Sequence, residues 1–210
     1  MKLDIMNPHA MRIMIASRPV DSISSISRRI GLSYGWAYHW VLELEKAGVF
    51  QRSGKRIFLK EDSSFYKHAL GFLKSAFGDD VDFHYKALSL FGIKYCFTST
   101  DAVSVWTNGG YNIARYRGYY PIFIKARSTD REIFEFYSKK LGTGTAIFYK
   151  AKFLEDFPVE MHQGVPVDSL EETIAFMKKY VYNFQPALEI VQELYSRRLG
   201  VKYREAVLNA

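Results

Sequence analysis

Along the first sixty positions, apolar residues recur at helical spacing and then switch to the alternation of strands. Asn7-Pro8 reads as an N-cap followed by proline in the first turn, and the run HAMRIMIAS predicts a short helix ending before Pro19. A second start stands at Asp21-Ser22. Ile23, Ile26 and Ile30 follow on one stripe, and Gly31 predicts a left-handed C-cap. Ser33 is placed to cap a third helix that runs to about Ala47 and stops at Gly48. Its Ala37, Val41 and Leu44 fall at i, i+4 and i+7 with Trp40 beside them, and are expected to face a core. The opposite arc presents Gly35, Trp36, Tyr38, His39, Leu42, Glu43 and Lys46. Residues 49–52 and 55–60 then read as two strands around Ser53-Gly54, a hairpin with basic flanks.

After a short polar joint at 61–64, the pattern becomes mixed. A helix is expected over 65–77, broken at Gly78, and another from 83 to about 91, stopped by Gly92. Residues 93–97 alternate as a strand, and 98–106 predict a short helix with Thr100 as its cap. Asn108-Gly109-Gly110 is a strong turn signal. Strands are expected at 111–117, 120–125 and 146–149, with helices at 130–141, 168–182 and 185–199. The fold class expected is α+β: a winged helix-turn-helix over residues 1–62, then a mixed α/β domain over 63–210.

Charge sharpens this division. Residues 1–60 hold ten Lys and Arg against four Asp and Glu, a net +6, whereas the other 150 hold nineteen against eighteen. A basic head on a nearly neutral body points to a polyanion-binding module attached to one with other work. The hydrophobic share of 48% is enough for a real core, which argues against wholesale disorder. The lone Cys96 excludes an intramolecular disulfide framework and a Cys-rich zinc site. No apolar run approaches the roughly 18–20 residues of a membrane span. Asp4, Asn7, Pro8 and Arg12 interrupt any apolar leader, so a cytoplasmic location is expected.

The stretch LSYGWAYHWVLELEKAGVFQRSGKRIFLK resembles winged-helix regulators along its whole length, including the Leu-Glu-Lys-Ala-Gly close of the third helix. The resemblance implies that this helix enters the major groove of double-stranded DNA and that the hairpin touches phosphate. Arg52, Lys55 and Arg56 would be positioning contacts, with Arg28 and Arg29 near the DNA backbone. Base readers would come from Tyr34, Trp36, Tyr38, His39 and Lys46. The outward arc holds no Arg, Asn or Gln, the usual bidentate readers of guanine and adenine. Trp36 and Leu42 also suit packing on the second domain or a partner subunit.

Two segments of the body carry a second resemblance. KYCFTSTDAVSVWTNGG is similar to an element of the AbiEi antitoxin family, in which a tyrosine leads into a Thr/Ser-x-x-Ala-x-x-x-Trp stretch. GVPVDSLEETIAFMKKY is similar to that family's terminal helical region. A winged-helix head before such a body is also that family's order. The likeness implies a DNA-binding autorepressor of a toxin–antitoxin operon, neutralising a nucleotidyltransferase-like toxin encoded alongside.

The signatures of catalysis are largely missing. The Asp-x-Asp of GDDVDFH has no Gly-Ser turn before it and reads as capping or solvated acid rather than a metal site. His9, His39, His68, His84 and His162 form no zincin pattern. Gly142-Thr-Gly144 lacks a third glycine and a Walker lysine, and Cys96 reads as a buried, inert thiol. The expectation is therefore a transcriptional regulator with no catalytic residues, metal or cofactor. Its aromatic-rich body would bind a protein partner or a second copy of the chain. Two other classes share the same order of elements. A ligand-sensing regulator would need an apolar cavity with a few convergent polar groups. A nucleic-acid-processing enzyme with a winged-helix appendage would need clustered carboxylates.

Overall fold

The computed structural model describes residues 7–79, 81–113, 118–141 and 146–200. It is a mixed α+β protein, with two sheets among the described residues. Two compact units divide the chain. The first joins Met1–Lys94 to Thr129–Ile147, and the second joins Tyr95–Ser128 to Phe148–Ala210.

The first unit begins with helix α1 (Pro8–Ala16), whose N-cap Asn7 accepts from His9 N at 2.8 Å. Helix α2 (Ile23–Ile30) is capped by Ser22, which accepts from Ser25 N at 3.1 Å, and closes on Gly31 at φ 63°. Helix α3 (Tyr34–Lys46) is capped by Ser33 and buries Ala37, Trp40, Val41 and Leu44. Ile23, Ile26 and Ile30 of α2 and Ile13 of α1 are buried as well, and both helices pack on α3. Each such side chain contributes about 1.5–3 kcal/mol on leaving water.

The hairpin strands are β2 (Phe50–Ser53) and β3 (Arg56–Leu59). Their burial alternates in β3, with Ile57 and Leu59 inward and Arg56 and Phe58 outward. A two-residue strand β1 (Val20–Asp21) pairs with β3 through Val20↔Phe58 and Asp21↔Ile57, giving the order β1-β3-β2. Asp21, expected at the start of α2, thus ends a strand.

The boundary expected at residue 62 does not coincide with the division into units. Helices α4 (Ser64–Asp79) and α5 (Val81–Ala87) group with the head. So does α7 (Arg131–Leu141), which returns from later in the chain. Helix α4 continues through Gly78 rather than breaking there. After α5, a 3₁₀ turn (Leu88–Phe91) leads to Gly92 at φ 64°. A Cβ on Gly92 would lie 2.9 Å from Ile30 Cα, so both the left-handed backbone and the close approach to α2 require glycine.

What holds α7 in the head is the C-terminal end of α1. The Tyr137 hydroxyl donates to Ala16 O at 2.6 Å, and Lys140 Nζ donates to Met14 O and Ser17 O, each at 3.3 Å. These carbonyls have no partner within their own helix, and a cation there also meets the negative end of the helix dipole. Phe91 packs its ring against Phe134 and Tyr137 at 5.9 and 5.3 Å.

The second unit is built on a sheet of β4 (Tyr95–Phe97), β5 (Tyr120–Arg127), β6 (Ile147–Leu154), β7 (Glu160–His162) and β8 (Val165–Val167), in the order β6-β5-β4-β8-β7. Central β4 runs antiparallel to β5 and parallel to β8, with Phe97 opposite Ile124 and Val167. Its helices are α6 (Ser99–Trp106), α8 (Leu170–Lys179) and α9 (Val181–Leu194). Trp106, Met177, Leu188 and Val191 are buried. Thr98, not Thr100, stands at the cap of α6. Of the strand expected at 111–117, residues 111–113 are irregular and 114–117 lie outside the described residues. The expected helices at 168–182 and 185–199 are in fact divided at Tyr180.

Candidate nucleic-acid interface

The outer face of α3 and the adjoining hairpin bring most of the expected contact residues together. Tyr34, Trp36 and Tyr38 are exposed by 55, 54 and 37%. His39 is also exposed, its ring edge-on to Trp36 at 5.7 Å and to Trp40 at 5.1 Å. Tyr34 and Tyr38, one turn apart, lie near-parallel with centroids 6.1 Å apart. His9 of α1 and Trp40 flank Trp36 in near-parallel planes, at 6.1 and 6.4 Å. The arc that points away from the core is therefore aromatic, with Lys46 at its far end paired to Glu43 at 2.7 Å.

The cations divide into free and committed groups. Arg28, Lys55 and Arg56 are exposed, and among the described residues no acid pairs with them. The turn that carries Lys55 depends on Gly54 at φ 59°. Arg52 is exposed but engaged: its Nε pairs with Glu45 Oε2 at 2.5 Å, and its guanidinium lies 5.9 Å from the Tyr38 ring centroid.

Arg29 departs from its expected place near DNA phosphate. Its side chain is only 10% exposed, bonded to Asp21 Oδ2 at 2.8 Å and to the Ala16 carbonyl. Burial works against its charge, but Asp21 and Tyr137 together outweigh that and hold its pKa above the ordinary value. Arg29 is therefore a structural cation that ties α2 to β1 and to the end of α1.

A second polar cluster, in the body, had no signal in the sequence as a site. Asp168, at the end of β8, is 5% exposed. Its Oδ1 lies 2.8 Å from Lys125 Nζ of β5 and accepts from Cys96 Sγ at 3.2 Å. Thr98 Oγ1 donates to Oδ2, and Trp106 Nε1 donates to the Asp168 carbonyl at 2.8 Å. Lys125 also reaches Glu172 at 3.2 Å. Burial opposes the Lys125 charge, but the two carboxylates prevail and raise its pKa. The Cys96 thiol is pushed well up by burial and by Asp168, which leaves it protonated and unreactive.

Both carboxylate oxygens of Asp168 and its carbonyl are engaged by Cys96, Thr98, Lys125 and Trp106, which is the signature of a lock rather than an open site. The cluster joins the segment KYCFTSTDAVSVWTNGG to the segment GVPVDSLEETIAFMKKY. Among the described residues, no group of three or more His, Cys, Asp or Glu side chains is placed to hold a metal ion. Asp80 and residues 142–144, considered as metal and phosphate candidates, lie outside the described residues. No described helix is long and apolar enough to cross a membrane. Comparison with known protein families, with curated proteins and with solved structures finds no match.

Proposed function

We propose that this chain is a DNA-binding transcriptional regulator with a winged helix-turn-helix head, α3 being its recognition helix and the β2–β3 hairpin its wing. The observation that carries this reading is the contact of Arg52, next to the hairpin turn, with Tyr38 on the exposed arc of α3, together with the exposure of Lys55 and Arg56 at that turn with no acidic partner among the described residues. Phosphates attract such free cations at any sequence, and the net +6 of residues 1–60 supplies the longer-range field. Side chains on a helix that emerges beside them are then placed to meet bases.

The body supports an antitoxin-type autorepressor in particular, because the two segments similar to the AbiEi family meet around Asp168. On this reading the protein partner is a nucleotidyltransferase-like toxin. An electrophoretic shift of DNA from upstream of its own gene by the full chain, with an unrelated fragment as control, tests the proposal. Retardation of the first at lower protein concentration supports it; no shift of either at low salt refutes it.

A further inference from the structure

A cleft of about 400 Å³ opens in the first unit between the α1–β1 link and helix α7. That volume lies within the range of small-molecule sites. One wall is Arg18-Pro19, and the other is the stripe of α7 that carries Glu132, Ile133, Phe136 and Tyr137. Its lining is mostly apolar, supplied by Pro19, Ile133 and the two rings. Tyr137 is 1% exposed and its hydroxyl donates to Ala16 O, so it offers the cleft only a fixed ring.

The charge around the cleft is balanced, with Arg18 and Lys139 against Glu132 and Glu135. Arg18 Nη2 and Glu132 Oε1, one on each wall, stand 3.7 Å apart. That is longer than a hydrogen bond, and the two side chains are 44 and 83% exposed, so the pair is loosely held. A carboxylate can meet the Arg18 guanidinium in a bidentate pair, and an ammonium can donate to Glu132. Both contacts are stronger than the one they replace.

We propose that this cleft binds a free α-amino acid with an apolar side chain. Its carboxylate meets Arg18, its ammonium meets Glu132, and its side chain lies on Pro19, Ile133 and Phe136. The two charged groups of an α-amino acid share one carbon, so a receptor must hold a cation and an anion only a few ångströms apart, as Arg18 and Glu132 are. The balanced charge suits a zwitterion and not a nucleotide or another polyanion. The site does not depend on the nucleic-acid reading, but it is linked to that surface. Pro19 O accepts from Leu59 N of β3 at 3.0 Å, and Arg18 N donates to Asp21 Oδ2 at 3.1 Å. An amino acid that holds Arg18-Pro19 in one position therefore biases the hairpin as well, and acts as an effector of DNA binding.

Isothermal titration calorimetry of the full chain with L-leucine, 4-methylpentanoate and 3-methylbutylamine tests the site. The second probe lacks the ammonium, and the third lacks the carboxylate. L-Leucine should bind with a dissociation constant on the order of 0.1–1 mM, the range open to so small a ligand, and each analogue about tenfold more weakly or worse. Arg18→Gln and Glu132→Gln should each weaken leucine binding by about tenfold or more. Both positions are exposed, and an unchanged urea midpoint shows that the fold is kept. Saturating leucine should shift the duplex affinity of the wild type and leave that of Glu132→Gln unmoved.

No binding of L-leucine or L-phenylalanine at about 10 mM would overturn the site. So would equal binding of 4-methylpentanoate, or leucine binding untouched by both substitutions. A wild-type duplex affinity that leucine does not move would overturn the effector role alone. Failure to bind any duplex would refute the nucleic-acid reading and leave the amino-acid site to be judged by calorimetry.

Discussion

Arg52 of β2 and Glu45 of α3 are bonded twice: Nε of the arginine meets Oε2 at 2.5 Å, and its backbone N donates to Oε1 at 3.1 Å. The bond ties the hairpin to the helix and spends on an acid a cation that the sequence offers to phosphate. Glu45→Gln should therefore tighten DNA binding a few-fold, by releasing Arg52 and removing a negative charge from the face. Arg52→Ala should cost less affinity than Lys55→Ala or Arg56→Ala. Titrations of labelled duplex at fixed salt check both. An Arg52→Ala loss as large as either of the others would make Arg52 a direct phosphate contact.

The free cations and the aromatic arc should separate in their effects. Lys55→Ala with Arg56→Ala should weaken binding to all sequences about equally, because phosphate is the same everywhere. Tyr38→Ala and His39→Ala should change which sequence is preferred. Selection from a random-sequence pool with each variant reads this directly. An unaltered preference in both helix variants would remove them as readers.

Lys140 should make stability depend on pH in a defined direction. Burial pushes its pKa down from 10.5 to about 8. Between those values the unfolded chain keeps a proton that the folded chain has lost, so this residue's contribution to stability rises as pH increases from 8 towards 10. Lys140→Met should lack that contribution. The readout is the difference in urea midpoint between wild type and variant across that range, which cancels the opposing titration of the Cys96 thiol. A constant difference would contradict the lowered pKa.

In the second unit, Lys125 and Asp168 form a pair with side chains 13 and 7% exposed. Asp168→Ala would strand the lysine charge and leave Cys96 and Thr98 without their acceptor. A loss of about 3 kcal/mol in urea unfolding is expected, part of it recovered by adding Lys125→Met. A loss below about 1 kcal/mol would show that the pair is not a lock.

How much of this was legible in the sequence follows from how local each signal is. Helices α1–α3 declare themselves by adjacent residues, through the caps Asn7, Ser22 and Ser33 and the stop at Gly31. The aromatic arc was readable for the same reason. Strand β1 has only two residues and is made by its partner β3, so no periodicity announces it. The β7–β8 hairpin hides behind Gln163 at φ 49° followed by Gly164 at φ 81°. Glutamine seldom takes the left-handed position usually filled by asparagine, and Pro166 inside β8 reads as a breaker.

Three engaged cations share one feature. Arg29, Arg52 and Lys140 are surface-type residues whose partners lie 7 to 126 positions away. Sequence spacing does not report such partners. Helix α7 likewise joins the head through Tyr137 and Lys140 from far along the chain, which places the unit boundary beyond residue 62.

The account stands or falls on whether free cations of the head neutralise phosphate. The most direct measurement is the slope of log affinity against log salt for the full chain on a paired duplex, between about 50 and 200 mM salt. With Arg28, Lys55 and Arg56 engaged, the slope should be about −3, and Lys55→Ala with Arg56→Ala should bring it to about −1. A slope near zero in the wild type, or one that the double variant leaves unchanged, would contradict the assignment of this surface to nucleic acid.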